Sequence, residues 1–476
     1  MKHFITLFLL FAAFIPSNAT CPDTTNASYA VLPTYQDVVI DSIVINGNKR
    51  TKDFIILREL LFKPGDTIKN SAEILSASKT NLLNTGLFLS VECMLHGTIC
   101  SITVEERWYV FPKPYFEIID RNFNVWWVEQ EHAIARTNYG LDFIWYNFTG
   151  RNDALHIRTI TGYSHKYDLT YNRPLIGKES NFGGGFSFSY LDSKQVAYNT
   201  QFDKLVFYTG NATVRKKINA SAHLSRRSGF YATHDLQLQY HYLFVADTVA
   251  LLNPLYFYEG KNALQFLSLT YKFIYSHVDD RAYPLSGTFA ELQMGKPGLG
   301  IFDSINQLTF LAQYNYYLPI SDALFLQGQA AASSVFGNFY PYGTAPGLGY
   351  CENFVRGYEY YVANGQHTFL LRTNVKYKIF DVHLNAPIIN WNVFENIPLK
   401  AFAKLFADAG YVADNYFYEN NSLANTLQYS IGAGIDITTY YDWVFRLETA
   451  VNAFGEIGVF LHTGLDLDTY EDCNLW

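Results

Sequence analysis

From Trp108 onward apolar and polar residues alternate with period two, the spacing that sends successive side chains to opposite faces of a β-strand. Leu267, Leu269, Tyr271, Phe273 and Tyr275 alternate with Ser268, Thr270, Lys272, Ile274 and Ser276, Ile274 being the one apolar exception on its face. Leu236, Leu238, Tyr240 and Tyr242 alternate likewise with Gln237, Gln239 and His241. Between Thr368 and Ile379 the apolar row Phe369, Leu371, Val375, Tyr377 and Ile379 opposes Arg372, Asn374, Lys376 and Lys378. A lysine facing lipid at mid-depth costs about 2 to 4 kcal/mol, so the polar rows must face a wet lumen. Segments of this kind fall near 114–126, 135–148, 153–164, 167–174, 181–196, 211–224, 229–246, 263–278, 287–296, 304–318, 323–336, 366–380, 398–408, 427–437, 443–452 and 457–467. They predict a mostly β protein, an antiparallel transmembrane barrel of about 16 strands over 108–476. Short connections (318–323, 438–442) alternate with long ones (245–262, 337–366), which sets the two ends of the barrel apart.

Residues 38–107 carry a different pattern. An alternating run over 38–45 ends at the turn Asn46-Gly47-Asn48. Thr51 stands where it can cap a helix with Phe54, Leu57 and Leu61 on one face, stopped by Lys63-Pro64-Gly65. Ser71 can cap a second helix with Ile74, Leu75, Leu82 and Leu83 on one face, ended by Gly86. Strands over 88–93 and 99–105 close the unit, joined around His96-Gly97. The prediction is a small α+β domain ahead of the barrel.

Composition sharpens the membrane reading. Aromatic residues make up 17% of the chain and charged residues only 16%, against about 25% charged in an average soluble domain. Past the N-terminus no apolar run reaches the roughly 20 residues of a membrane helix. Met1-Lys2-His3, the apolar stretch from Phe4 to Ile15, Pro16 and the small residues Ser17 and Ala19 form a secretory signal (1–19), followed by a polar leader (20–37). The net charge of -8 excludes a nucleic-acid partner, which requires a basic face. Export also permits disulfides: Cys93 and Cys100 bracket a hairpin tip and could pair, while Cys21, Cys351 and Cys473 are scattered. The sequence offers no metal-ligand spacing, cofactor motif or nucleophile elbow, and Gly183-Gly184-Gly185 reads as strand packing; the expectation is a non-enzyme without cofactor. Glu448 and Asp466 read as solvated polar-face residues.

The order strand, helix, helix, strand, strand, with "INGNKRT" near its start and "NTGLF" before the second strand, resembles a POTRA domain. In the long connection 337–366, Val355-Arg356-Gly357-Tyr358 resembles the V/I-R-G-F/Y hallmark of the sixth extracellular loop in the BamA-like superfamily of POTRA-plus-barrel outer-membrane proteins, the bacterial surface antigen barrels. Asp279, Arg281, Pro284 and Gly287 match the D-x-R-x-x-P-x-x-G turn of that family, and Phe406, Asp408 and Gly410 its F-x-D-x-G strand. The small-residue run from Ser430 to Gly434 follows in its place. The last strand departs from the pattern: Thr469 replaces the final apolar residue, and an acidic tail runs to Trp476.

The resemblance implies a bacterial outer-membrane barrel with short turns and POTRA-like domain in the periplasm, long loops outside, and loop 337–366 folded into the lumen with Arg356 tied to Asp408. A planar guanidinium can grip a carboxylate at two points, and a thirty-residue loop needs such a tie. In a wet lumen the tie is worth only about 0 to 1 kcal/mol. The implied function is assembly of outer-membrane proteins: unfolded outer-membrane or secreted clients are caught at a POTRA edge strand and templated at the seam between first and last barrel strands, with the lipid bilayer and accessory lipoproteins as further partners. The alternatives are a translocator exporting one dedicated partner and a passive porin. The leader is too polar and proline-broken for a translocator's plug helix, and a porin has no use for a POTRA-like domain.

Overall fold

The computed structural model describes residues 37–463, apart from 70, 119–133, 135–136, 178–179, 303–304, 338–339, 346, 351–352, 385–396 and 440–442. The signal, nearly all of the leader, Asp466, the acidic tail, and Cys21, Cys351 and Cys473 lie outside the described residues.

The N-terminal domain runs β1 (Val38–Val39), β2 (Ser42–Asn46), α1 (Asp53–Leu57), β3 (Thr67–Ile68), α2 (Ser71–Leu83), β4 (Phe88–His96) and β5 (Ile99–Glu106). β5 is central, parallel to β2 and antiparallel to β4. Ile55, Ile56, Leu82, Phe88 and Ile102 fill the space between the helices and this sheet. The strand expected over 38–45 is two pieces, since β1 leaves the sheet to pair with β3. Thr51 does not cap α1, whose N-cap is Lys52 without a side-chain bond. Its buried hydroxyl instead meets the Tyr109 hydroxyl at 3.1 Å and accepts from Asn147 at 2.9 Å, joining the domain to the barrel.

The pairing of Cys93 with Cys100 is not found: both thiols are free. The hairpin tip is tighter than the sequence suggested, with β4 running on to His96, so Cys93 lies opposite Ile102 and Cys100 opposite Leu95. The cysteines are therefore diagonal, at positions whose Cα atoms stand roughly 7 to 8 Å apart, beyond the reach of an unstrained disulfide. Cys100 is fully buried in the core and behaves as a small apolar side chain.

Sixteen antiparallel strands follow: β6 (Val110–Ile118), β7 (Thr137–Tyr146), β8 (Ala154–Gly162), β9 (His165–Arg173), β10 (Phe182–Ser193), β13 (Arg215–Ser228), β14 (Ala232–Val245), β15 (Ala263–Val278), β16 (Gly287–Pro297), β17 (Gln307–Pro319), β18 (Leu324–Gly337), β21 (His367–Leu384), β22 (Ile397–Ala413), β23 (Leu427–Thr438), β24 (Val444–Asn452) and β25 (Ile457–Thr463). Each pairs with its chain neighbours, and the sheet curls into a barrel with apolar residues such as Leu236, Leu238, Tyr271 and Tyr377 exposed outward. A hairpin the alternation did not reveal, β11 (Gln195–Gln201) with β12 (Lys204–Thr209), rises between β10 and β13. β19 (Gly347–Leu348) and β20 (Ala363–Asn364) pair within the connection from β18 to β21.

Both mouths are covered. At the proximal end, next to the N-terminal domain, Arg50 donates to the Asn147 carbonyl (2.8 Å) and the Lys52 amide to that of Gly150 (3.0 Å). Arg227 grips both oxygens of Glu59 at 2.6 and 2.7 Å, and Asn84 donates to the Val278 carbonyl (3.0 Å). At the distal end the β11–β12 hairpin and α3 (Asp247–Leu252) pack Val196, Val249, Tyr256 and Phe257 against Tyr342. Asp203 at the hairpin tip accepts from Ser422 (2.6 Å) and, through its carbonyl, from Val362 (2.9 Å).

Burial, joined by its neighbour Cys100, pushes the Cys93 thiol up to about 11, and burial raises Cys100 too. Non-reducing peptide mapping should therefore recover both as thiols, alkylated slowly by iodoacetamide at neutral pH. A peptide crosslinked through Cys93 and Cys100 would show that the register is wrong.

Candidate functional site

The connection from β18 to β21 turns inward. Val355 is fully buried against Leu348, Leu370 and Val412, and Gly357 adopts φ +91°, a left-handed backbone that favours glycine. That turn drives Arg356 into the wall. Its Nε and Nη2 donate to Asp408 Oδ2 and Oδ1 at 2.7 and 2.6 Å, a two-point grip. Nη1 donates to Asn374 Oδ1 (2.8 Å) and Glu448 Oε1 (3.0 Å), and the Arg356 amide to Asp408 Oδ2 (3.2 Å). The guanidinium carbon lies 3.8 Å from the centre of the Phe406 ring. Tyr358 packs in the same apolar cluster and its hydroxyl accepts from the Ala453 amide (3.1 Å).

The β22 residues Phe406, Asp408 and Gly410 thus act on one arginine. Phe406 supplies a ring face and Asp408 the carboxylate; Gly410 supplies room, because a Cβ there would stand 2.5 Å from Val355 Cγ2. The neighbouring small-residue strand serves the same end, since a Cβ on Gly432 would meet the Phe406 ring at 2.2 Å.

Three participants escaped the sequence reading. Glu448, read there as solvated, is buried and links Arg356 to Lys404, whose Nζ lies 2.8 Å from it and 2.6 Å from Asp436. Asp436 accepts from the Tyr283 hydroxyl at 2.7 Å. Tyr283 belongs to the β15–β16 turn, which reaches across the lumen and also lies under the buried Lys376 ammonium (3.8 Å) and against Phe402 (4.9 Å). The sequence reading put Glu448 on a polar face and did not single out Lys404 or Asp436; the partners of all three lie far along the chain, and no local signal marks them. Two cations, Arg356 and Lys404, here meet the carboxylates of Asp408, Glu448 and Asp436, with Lys376 set over the Tyr283 ring beside them.

The turn motif does a separate job. Asp279 Oδ1 accepts from the amides of Leu285 (3.0 Å) and Ser286 (3.1 Å), Pro284 is buried, and Gly287, at φ +109°, opens β16. This lock aims Tyr283 inward. Arg281 is not brought to Arg356; it lies at the proximal mouth.

The loop also touches the last strand. Phe354 stacks on His462 (5.5 Å), Tyr360 lies 5.9 Å from Phe460, and His462 Nε2 is 3.6 Å from Glu448 and 3.7 Å from Glu359.

A lumen-filled barrel fastened to a small α+β domain defines the class. The Omp85 superfamily domain matches residues 147–364, and the POTRA model, a surface antigen variable number repeat, matches 38–104. The chain carries an Omp85 superfamily domain preceded by a POTRA domain, and its barrel is of the outer-membrane kind. The fold is similar to BamA from Haemophilus ducreyi lacking POTRA domains 1–3, at TM-score 0.50 and 16% identity, covering 90% of this chain and 84% of that one. CdiB from Escherichia coli covers 93% of each chain at 9% identity, but its TM-score of 0.48 carries no argument. None of the curated proteins compared with the chain matches it.

Arg356 and Asp408 are 7% and 4% exposed, so breaking their pair costs about 3 to 5 kcal/mol, the dry-site value, rather than the small figure a wet lumen suggests. Arg356→Ala should release the loop, read as rapid proteolysis within 353–366 while the barrel still resists heating in detergent. Unchanged protection would refute the tie. Gly410→Val keeps every charge yet pushes on Val355, at about 1 to 3 kcal/mol for overpacking; it should free the loop in the same assay, and a fully protected loop would show that close approach is unimportant.

Proposed function

We propose that this chain assembles outer-membrane proteins by opening the β6–β25 seam, with the N-terminal domain in the periplasm. One observation carries the reading. Among the described residues β6 pairs only with β7 and β25 only with β24. The Tyr146 amide donates to the Tyr109 carbonyl (2.8 Å) and the register continues along β6. Pairs in an antiparallel ladder alternate between bonded and non-bonded, so odd residues of β6 bond β7 and even ones face the seam. Two of those even residues are Pro112 and Pro114, which have no N–H to give. The seam edge therefore lacks two donors. Such an edge separates cheaply and can receive an incoming strand.

The lumen contacts support a lateral over an axial route. Loop, turn and N-terminal domain fill or cover the bore, whereas Phe354 and Tyr360 touch β25 on its inner side. A translocator working through the bore would have to withdraw Arg356 from its buried pair on every cycle.

Photoreactive residues at Phe116 on β6 and Val459 on β25, both well exposed, should trap barrel-forming clients in cells. Pro112→Thr with Pro114→Thr restores two seam donors, each worth about 0.5 to 1.5 kcal/mol, and should slow client insertion by about tenfold. Empty crosslinks, or full insertion by the proline variant, would sink the seam reading.

A further inference from the structure

Where the N-terminal domain meets the barrel mouth there is a cavity of about 550 Å³. Arg58 after α1, Arg227 on β13, Lys272 on β15 and Arg281 in the β15–β16 turn all line it, against the carboxylates of Glu59 and Asp235. Four cations thus face two anions. Glu59 is occupied, both of its oxygens being held by Arg227. The three guanidinium nitrogens of Arg58 are buried and donate to no hydrogen-bond acceptor among the described residues, Glu59 lying 3.6 Å from Nε. Burial pushes Arg58 down to about 10, with Glu59 partly opposing, so it stays charged at neutral pH. A buried guanidinium that makes no hydrogen bond is costly. An oxyanion entering the cavity would remove that cost, and Arg281, exposed to the same space, adds a second fork.

We infer that this cavity binds carboxylate side chains of an acidic, extended polypeptide segment, bridging the N-terminal domain and the barrel through Arg58 and Arg281. Its barrel wall is lumen-facing: Ser225 and Asp235 line it, while the adjoining Leu224 and Leu236 are exposed on the outer face. A bilayer lipid is therefore walled off, whereas a chain arriving beneath the barrel has direct access. The site spans both bodies, so occupancy would hold the N-terminal domain against the mouth. It stands whether or not the seam opens.

The test uses the full chain in detergent micelles and the anisotropy of dye-labelled hexaglutamate, with hexaglutamine as its neutral counterpart. Arg58→Gln with Arg281→Gln leaves the Glu59–Arg227 clamp in place, and heat-modifiable gel migration verifies the folded barrel. Hexaglutamate should bind, weaken steeply between about 50 and about 500 mM salt, and lose about tenfold or more in the double variant; hexaglutamine should not compete. Equal binding by the folded double variant, or by hexaglutamine, overturns the inference. Displacement by inorganic phosphate as effective as by hexaglutamate makes it a free-oxyanion site, and equal displacement by glycerol phosphate a headgroup site; either result overturns the peptide assignment.

Discussion

An arginine cannot escape burial by losing its proton, so a guanidinium placed inside a barrel must find carboxylates there or stay outside. Arg356 finds two, Asp408 and Glu448, and much of the barrel's second half follows from accommodating it. Asp408 must lie on the lumen face of β22, which fixes that strand's register. Phe406, two residues before, then presents its ring to the guanidinium, and Gly432 must stay small so that the ring fits. Gly410, two residues after, must stay small so that Val355 can follow Arg356 down. Period-two alternation turns one buried charge into a column of dictated residues.

The column does not end at the loop. Glu448 serves Arg356 and Lys404 together, Lys404 reaches Asp436, and Asp436 holds Tyr283 from a turn at the other end of the barrel. That turn follows Val278, whose carbonyl accepts from Asn84 of the N-terminal domain. Contacts thus run unbroken from the domain, through the lumen, to the loop beside β25. Contiguity alone is not coupling, but it does show that moving either end disturbs a buried charge in the middle.

The architecture was legible because both periods are plain: the barrel strands appear within a few residues of where alternation placed them, except that the first, expected over 114–126, begins at Val110, and 119–126 and 464–467 lie outside the described residues. What stayed hidden depended on tertiary partners. The β11–β12 hairpin turns at Phe202-Asp203, both at positive φ, without the Asn-Gly or Asp-Gly pair that normally marks such a turn. Thr51 has a capping residue's chemistry, yet Tyr109 and Asn147 claim its hydroxyl. Asp408 was legible because a motif names it as partner of Arg356. Glu448 was not: a lone acid on a polar face looks solvated until the distant cation that covers it is known.

These ties are unevenly distributed, and the unevenness bears on how the molecule can move. The N-terminal domain grips the first half of the barrel, through the turn after β7 and the ends of β13 and β15. The inward loop grips the second half, through β21, β22, β24 and β25. Between the halves, opposite the seam, β15 pairs with β16 over 11 register positions and β17 with β18 over 13. In the seam-opening reading proposed above, two braced halves joined by that ladder on one side, with an edge short of two donors on the other, would part β6 from β25 by a hinge about the ladder. The Tyr283 turn reaches from the β15–β16 junction to Asp436 on β23, so in that reading it would limit how far the halves separate before the buried charges are exposed.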